Sequence, residues 1–317
     1  MTGPFTHHID PVIGEIAGLY LWFYGLSYTL GFFEVFLWFR SQRKRLGFST
    51  AEVYDISILL SGCVVIGGRI VEVIFYEWPY YSQHPAQIPW IWLGGMSTHG
   101  LLLGGAIGTA IFCRIHRRPF LTIADELVIP GAFLMGVGRI GNFIDGQIVG
   151  GITSVPWAVK FPDAAGFRHP VVIYDAIKNL MLVPVLIAIR KKNPKRGVVL
   201  ANFIFWYAFL RIFVDVFREY PTRLFGLATG QSLNLFMSAL GLVLWVWFSA
   251  RSLSPEPGRG RRDATGEGRL WPRRILFAAI LLACLTMPSD WTQDIPRRYG
   301  KRHPGLHNSR MYPPVNG

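Results

Sequence analysis

The chain has 317 residues, of which 51% are hydrophobic and only 16% are charged. A soluble domain normally carries about a quarter charged residues, so this composition excludes an ordinary soluble protein and indicates a polytopic membrane protein. The formal net charge is +13, but Lys and Arg cluster in short loops between apolar runs, and the sequence has no motif that reads RNA or DNA. We therefore expect no nucleic-acid partner.

Seven apolar segments are each long enough to cross a hydrocarbon core, which needs roughly 20 helical residues. We therefore predict an all-α integral membrane protein of about seven transmembrane helices. The predicted spans are Glu15–Phe39, Asp55–Tyr76, Ile91–Cys113, Thr122–Phe143, Val171–Ile189, Val198–Phe217 and Leu233–Phe248.

Basic loops follow the first, third, fifth and seventh spans, as in RSQRKR and RKKNPKR, whereas the loops between them are poor in Lys and Arg. Because positive loops stay in the cytoplasm, this alternation predicts that the N-terminus lies outside. The loop after the second span, EWPYYSQHPAQIPW, is rich in aromatic residues. Such a segment is expected to form an arm at the outer lipid interface. Gly100, Gly104 and Gly108 recur every four residues in the third span, which predicts close packing against another helix.

Several spans contain polar side chains, which are costly in a bilayer and usually mark a functional site. They are His99, Arg139 and Asn142, His169 and Tyr174, and the series Tyr207, Arg211, Asp215 and Arg218. The spacing of the last series predicts one face of a helix. An Arg211–Asp215 pair could neutralise itself, but that leaves Arg139 without an explanation. Two arginines on separate spans, without a matching number of nearby acids, indicate an external anion.

A guanidinium group presents a planar fork of donors that suits phosphate oxygens. In a membrane this favours the head group of an anionic phospholipid. His99 lies in a glycine-rich stretch and could accept a proton, although a lone buried histidine more often has a packing role. The histidines and cysteines lack metal-binding spacing, so we expect no metal.

Eight motifs occur in order along residues 15–250, and together they resemble the bacterial prolipoprotein diacylglyceryl transferase family. They are WFYGLSY, GGRIVEVIFYEWPYY, WLGGMSTHGLLLGG, GVGRIGNFIDGQIVG, PWAVKFP, RHPVVIYD, FLRIFVDVFRE and TGQSLN. The resemblance implies an enzyme of the bacterial inner membrane. Such an enzyme moves the diacylglyceryl group of phosphatidylglycerol to the lipobox cysteine of a prolipoprotein signal peptide, so that a thioether forms and glycerol phosphate leaves. No cofactor is implied, and the partners are phosphatidylglycerol, lipobox-containing prolipoproteins and membrane lipids.

Carried over to this chain, the resemblance implies two sets of site residues. The catalytic set is His99, Arg139, Tyr207 and Arg211, in which the arginines would stabilise the leaving phosphate and His99 would deprotonate the thiol. The binding set is Tyr24, Gly95, Gly141, Asn142, Asp145, Gln147, His169, Tyr174 and Asp215.

The chain departs from the family pattern at a few positions. Gln147 replaces the usual glutamate, Asp145 stands where asparagine is usual, and Asp175 and Asp215 stand where glutamate is common. These changes leave open a catalytically impaired relative that binds anionic phospholipid or preprotein without transfer. An ion or solute transporter is a further alternative, but no inverted repeat or broken-helix pair favours it.

The sequence predicts that the chain has three regions. Residues 1–250 form the transferase-like membrane domain, 251–272 a flexible basic linker in the cytoplasm, and 273–317 an additional segment. Arg273 and Arg274 precede an apolar run that ends in Leu281-Leu282-Ala283-Cys284, which resembles a signal peptide with a lipobox. One interpretation is a fused lipoprotein precursor with Cys284 as the acceptor thiol. The other is an eighth, unspecialised apolar anchor or a buried hairpin.

Overall fold

The computed structural model describes residues 4–219, 223–224, 227–251, 270–289 and 295–314. Within these ranges the chain is mainly helical and has three small two-stranded sheets. The helices are α1 (Phe23–Leu46), α2 (Thr50–Phe75), α3 (Trp78–Tyr81), α4 (Thr98–Ile115), α5 (Phe120–Ile144), α6 (Val171–Lys191), α7 (Val198–Val216), α8 (Thr229–Ala250), α9 (Leu270–Leu285) and α10 (Ile295–Tyr299). The strands are β1 (Phe5–Thr6), β2 (Val12–Ile16), β3 (Leu19–Trp22), β4 (Val159–Lys160), β5 (Arg223–Leu224) and β6 (Leu227–Ala228).

Six of the described helices are long and apolar enough to cross a membrane, namely α2, α4, α5, α6, α7 and α8. Many large apolar side chains of these helices are exposed, which suits contact with lipid. The prediction of an all-α integral membrane protein is confirmed. The predicted additional apolar segment is α9, with 16 residues. Most of the predicted linker, from 252 to 269, lies outside the described residues.

Two predicted spans began too early. The first was placed at Glu15–Phe39, but α1 begins at Phe23, and residues 12–22 form the antiparallel hairpin β2–β3. Ala17 and Gly18 turn this hairpin with positive φ angles of 52° and 80°, which a helix does not allow. The third span was placed at Ile91–Cys113, but α4 begins at Thr98.

The late start of α4 has a local cause. Gly94 and Gly95 precede it with φ angles of 80° and 79°, so a helix cannot continue through them. Ser97 then caps α4, since its side chain accepts a hydrogen bond from the Gly100 amide. The second span begins earlier than predicted, at Thr50, because Ser49 and Glu52 form a capping box. The other four spans agree with the predicted ends to within four residues.

One compact unit contains Met1–His8 and Pro119–Gly258. In it α5 packs against α6 and α7, and α7 packs against both α6 and α8. β1 pairs in parallel with β4, and His7 Nε2 lies 2.7 Å from the Phe143 carbonyl oxygen near the end of α5. The Asp125 carboxylate accepts hydrogen bonds from the amides of Gly197 and Leu200 at 2.6 and 2.8 Å, so a side chain of α5 caps the start of α7.

The second unit contains Ile9–Arg118 and Arg259–Gly317. Its helices α2 and α4 pack closely through glycine, as predicted. A Cβ atom added at Gly104 would lie 2.9 Å from Val64 Cα, and one added at Gly108 would lie 2.8 Å from the Leu59 carbonyl oxygen. Only glycine allows this backbone approach.

Helix α9 packs against α1 and α2 in the same unit. At its start Arg273 Nε donates to Asp55 Oδ1 at 2.6 Å, so this end of α9 lies beside the first turns of α2. Further along, the Phe277 ring lies 5.4 Å from the Phe36 ring, and Thr29 Oγ1 donates to the Leu281 carbonyl at 2.9 Å. Helix α9 therefore runs antiparallel to α1, and its last turn lies near the first turn of α1.

Candidate active site

The stretch VGRIGNFIDGQIVGG forms the end of α5 and a tight turn. The Asp145 amide donates to the Gly141 carbonyl at 3.0 Å, which makes Asp145 the first residue after the helix. Gly146 and Ile148 then take positive φ angles of 70° and 57°. The Gln147 amide donates to the Asn142 carbonyl at 2.9 Å. The turn therefore holds these predicted binding residues close to the helix end.

Arg139 and Arg211, from α5 and α7, converge on one carboxylate, that of Asp175 in α6. Arg139 Nε donates to Asp175 Oδ2 at 2.7 Å, and Arg211 Nη1 donates to the same oxygen. Arg139 Nη1 also donates to Asn142 Oδ1 at 3.3 Å. Three helices of the first unit thus bring their intramembrane charges to one point.

Lys178 is a third cation in this cluster, and we did not predict it. Its Nζ lies 3.0 Å from Asp175 Oδ1 and 3.8 Å from the centroid of the Tyr207 ring. Tyr207 therefore covers the ammonium group through a cation–π contact. The signal in the sequence was a lysine three residues after an aspartate within an apolar span, the spacing at which side chains meet on a helix.

Asp215 completes the cluster. It accepts from Arg211 Nε at 2.9 Å and from Asn234 Nδ2 of α8 at 2.8 Å. The i,i+4 pair Arg211–Asp215 therefore forms, but as part of a larger network. Helix α7 ends at Val216, so Arg218 lies beyond the helix, and our assignment of Arg218 to its polar face was wrong.

The charge balance of the cluster differs in one respect from our expectation. We expected few acids near the arginines, whereas the structure places two aspartates there. The described ion pairs nevertheless join three cations to two carboxylates. Asp175 and Asp215 are 1% and 2% exposed, whereas the Arg139 side chain is 17% exposed. Among the ion pairs of the described residues, the cluster thus has one cation more than carboxylates, and Arg139 is the most accessible of the three cations.

A second group in the same unit contains His169 and Tyr174. His169 Nδ1 lies 3.1 Å from the Tyr174 hydroxyl, which accepts a hydrogen bond from Trp157 Nε1 at 2.7 Å. The His169 ring packs on Phe217, with centroids 4.9 Å apart. This arrangement orients both predicted residues through neighbouring side chains.

The remaining predicted residues belong to the second unit. The hydroxyl of Tyr24 lies 2.9 Å from that of Tyr28, and both side chains are buried. His99 is the second residue of α4 and is exposed. Gly95 is buried, and a Cβ there would lie 3.0 Å from Glu77 Oε2 and 3.1 Å from Arg69 Nη1. The structure thus requires glycine at position 95 for both its φ angle and its close packing.

Arg69 organises the segment that leads to Gly95, and it too was missing from our predicted set. It is 3% exposed. Its guanidinium donates to the carbonyls of Ile88 and Gly94 and to the Tyr81 hydroxyl, the first at 2.9 Å and the last at 2.5 Å. An arginine within the apolar second span was visible in the sequence. Its partners are the Tyr81 hydroxyl and backbone carbonyls, and bonds to backbone groups cannot be read from residue types.

Cys284 lies near the end of α9 with 0% exposure. Helix α9 packs closely on α1 at this point, since a Cβ at Gly25 would lie 2.7 Å from the Leu285 carbonyl oxygen. Transfer of a diacylglyceryl group to Cys284 would require α9 to separate from α1. This burial favours the anchor interpretation over the fused precursor, while the acceptor role of Cys284 stays a prediction.

The family model described as prolipoprotein diacylglyceryl transferase matches residues 11–247. The chain belongs to this family. A protein of Geobacter sulfurreducens named phosphatidylglycerol–prolipoprotein diacylglyceryl transferase is 36% identical over 256 residues, which cover 78% of this chain and 98% of that protein. Proteins of the same name from Aliivibrio salmonicida and Nitrosomonas europaea are each 37% identical over 257 residues. These alignments cover 78% of this chain and 90% and 92% of the two relatives.

The match to the family model confirms the family that the sequence motifs predicted. The apolar helices fit a multi-pass protein of the bacterial inner membrane. The matched region contains all the predicted site residues except Cys284. It ends at residue 247, so α9 and the residues that follow it lie outside the family match. The family match therefore does not cover this C-terminal part.

Proposed function

We propose that this chain transfers the diacylglyceryl group of phosphatidylglycerol to the lipobox cysteine of prolipoproteins. The observation that carries the proposal is the convergence of Arg139, Arg211 and Lys178 on Asp175, in a chain of this family. Phosphatidylglycerol has one negative charge on its phosphodiester, which matches the positive surplus of the cluster. The relatives' names point to the same two substrates.

The reaction places specific demands on the site. The cysteine sulfur forms a bond to the glycerol carbon of the diacylglyceryl group, and the bond from that carbon to the phosphate oxygen breaks. The electron pair leaves with glycerol phosphate, whose negative charge increases as the bond breaks. We propose that Arg139 and Arg211 donate to the phosphate oxygens and stabilise that charge.

The thiol must also lose its proton, because the thiolate is the nucleophile. We propose His99 as the group that accepts it, since His99 is exposed at the start of α4 and a neutral imidazole can accept a proton. Tyr207 would keep Lys178 in place through its ring, while Tyr24, Gly95, Gly141, Asn142, Asp145, Gln147, His169, Tyr174 and Asp215 would orient the two substrates. The chemistry requires only the lipid and the thiol.

A transfer assay tests the proposal. The purified chain is mixed with phosphatidylglycerol in detergent micelles and a synthetic lipobox peptide, and the lipidated peptide is detected by mass spectrometry. We expect transfer by the wild type and a loss of about 10²–10³-fold in kcat/KM for Arg139→Gln, as for removal of a donor to a developing oxyanion. The matched control is Arg114→Gln, which removes the same charge from an exposed side chain of α4.

Gln147 motivates the alternative of a relative that binds lipid without transfer. A correctly folded wild type that binds phosphatidylglycerol vesicles but does not lipidate the peptide would support that alternative and refute the transferase proposal. Gln147→Glu restores the residue that the family resemblance implies. If this variant is active where the wild type is inert, the defect lies at position 147.

A further inference from the structure

The chain continues beyond the family match into a C-terminal segment, residues 295–314, which we name the C-terminal cap. The C-terminal cap packs on the hairpin β2–β3 and on the end of the arm that precedes α4. Together they form an apolar cluster of side chains that are each at most 7% exposed, namely Val12, Tyr20, Trp22, Leu93, Ile295, Tyr299, Leu306 and Tyr312. Trp90, Trp92 and Met311 pack around it.

Directional polar contacts fix the C-terminal cap in one position. The Tyr20 amide donates to the Tyr312 hydroxyl at 3.1 Å, and Tyr20 Oη donates to the Gly305 carbonyl at 3.0 Å. Trp92 Nε1 donates to the Met311 carbonyl at 3.1 Å. Burial raises the pKa of Tyr312 to about 12. Because hydrogen bonds require specific geometry, these contacts select one register of the cap on its surface.

The cluster lies next to two segments that carry predicted site residues. Trp22 is the residue that precedes α1, two positions before Tyr24, and its ring lies 5.0 Å from that of Tyr299. Leu93 is followed by Gly94 and Gly95 and then by the α4 turn that contains His99. We propose that the C-terminal cap is a positioning element, which holds the starts of α1 and α4 so that Tyr24 and His99 face their substrates in fixed geometry.

The physical reason lies in the segment from Leu93 to Ser97. Two consecutive glycines with positive φ give it little intrinsic order. Besides the bonds from Arg69, the segment is held by the Ser97 amide, which donates to the Gly68 carbonyl at 3.1 Å, and by the burial of Leu93 in the cluster that the cap completes. A displacement of about 1 Å in a catalytic group can cost 10²-fold in rate. Loss of the cap should therefore reduce catalysis even when the transmembrane helices stay intact.

Tyr299 offers a matched pair of variants in the full-length chain. Tyr299→Ala removes the ring that packs on Trp22, whereas Tyr299→Phe retains it. Arg310→Ala is the control, because Arg310 is an exposed residue of the same cap. Two quantities are measured for each protein, the hydrogen–deuterium exchange of residues 91–99 and the kcat and KM of diacylglyceryl transfer. Tyr312→Ala serves as a second variant if Tyr299→Ala does not fold.

We expect Tyr299→Ala to raise exchange in residues 91–99 and to lower kcat at least tenfold, with Tyr299→Phe and Arg310→Ala close to the wild type. Faster exchange without loss of kcat would overturn the proposal, and so would unchanged exchange in both alanine variants. The proposal rests on the transferase function for its kinetic part. If the wild type does not transfer, the proposed function fails, whereas the exchange data still report whether the cap orders this segment.

Discussion

At the scale of single residues, Asp175 is the group on which the candidate site depends. Its carboxylate contacts Arg139, Lys178 and Arg211, and its side chain is 2% exposed. Cations that are buried close together repel one another, and the carboxylate between them offsets this repulsion. The same carboxylate occupies the donors that a phosphate would use, so binding of the lipid must rearrange or share these hydrogen bonds.

Replacement of Asp175 by Asn should test both roles of the carboxylate, the neutralisation of the buried cations and the competition with a phosphate for their donors. The variant leaves three buried cations with one carboxylate fewer, and breaking a buried ion pair costs about 3–5 kcal/mol. We expect a clear decrease in the thermal unfolding temperature in micelles of zwitterionic lipid, and partial recovery when phosphatidylglycerol is added. Asp163→Asn is the control, since Asp163 is exposed. An equal decrease with and without phosphatidylglycerol would contradict an anionic ligand at this cluster.

The sequence allowed part of this cluster to be predicted. Arg139, Arg211 and Asp215 could be selected because charges within apolar spans are costly, and the structure brings these three residues together. Lys178 and Asp175 lie in an equally apolar span, but we did not select them as site residues. Asp175 was noted only as a departure from the family pattern. Asp175 contacts Arg139, which lies 36 positions before it, and Arg211, which lies 36 positions after it. No local spacing in the sequence indicates contacts over such distances.

At the scale of helices, the packing of α2 on α4 depends on a few glycines. A Cβ at Gly104 would lie 2.7 Å from the Cys63 carbonyl carbon and 2.9 Å from Val64 Cα, whereas a Cβ at neighbouring Gly105 would meet only Val64 Cγ2, at 3.7 Å. We therefore expect Gly104→Ala to destabilise the protein by about 1–3 kcal/mol and Gly105→Ala to have little effect. Thermal unfolding of both variants checks this. Equal effects would mean that the glycine contact does not limit the helix distance.

Helix existence was easier to predict than helix starts. Hydrophobic length placed most spans, because an apolar stretch of about 20 residues has few alternatives in lipid. It could not separate an apolar strand or 3₁₀ turn from the helix that follows. This is why the hairpin Val12–Trp22 and the turn Ile91–Leu93 were merged into spans. The Ala17-Gly18 turn and the Gly94-Gly95 pair mark these boundaries only once their φ angles are known.

Helix α9 raises the question of whether Cys284 is an acceptor. Its burial against α1 predicts that the chain keeps α9 and the C-terminal cap, with an unmodified thiol. Intact-mass spectrometry of the protein, purified from cells with active lipoprotein processing, decides the point. We expect the mass of the uncleaved, unlipidated chain. A mass that includes a diacylglyceryl group on Cys284, or cleavage before this residue, would instead support the fused lipoprotein precursor.

At the scale of the whole molecule, the contacts of α9 and of the C-terminal cap predict on which side of the membrane the cap lies. Arg273 pairs with Asp55 at the start of α2, whereas the cap packs on the hairpin at the start of α1. The start of α2 follows the basic segment RSQRKR, which forms the last turns of α1 and which the positive-inside rule places in the cytoplasm. We therefore predict that helix α9, with its 16 residues, leads outward and that the cap lies on the outer side together with the N-terminal hairpin.

Labelling of single cysteines in intact spheroplasts checks this topology. Arg310→Cys places a thiol on the exposed surface of the cap, and Ser41→Cys places one on an exposed position near the basic end of α1. Of the native thiols, Cys113 and Cys284 are buried and Cys63 lies within α2, so their background labelling should be low. We expect a membrane-impermeant maleimide to label position 310 before lysis and position 41 only after lysis. Labelling of position 41 in intact cells, with protection of position 310, would invert the orientation. The cap would then lie on the cytoplasmic side, and the topology predicted from the basic segments would be wrong.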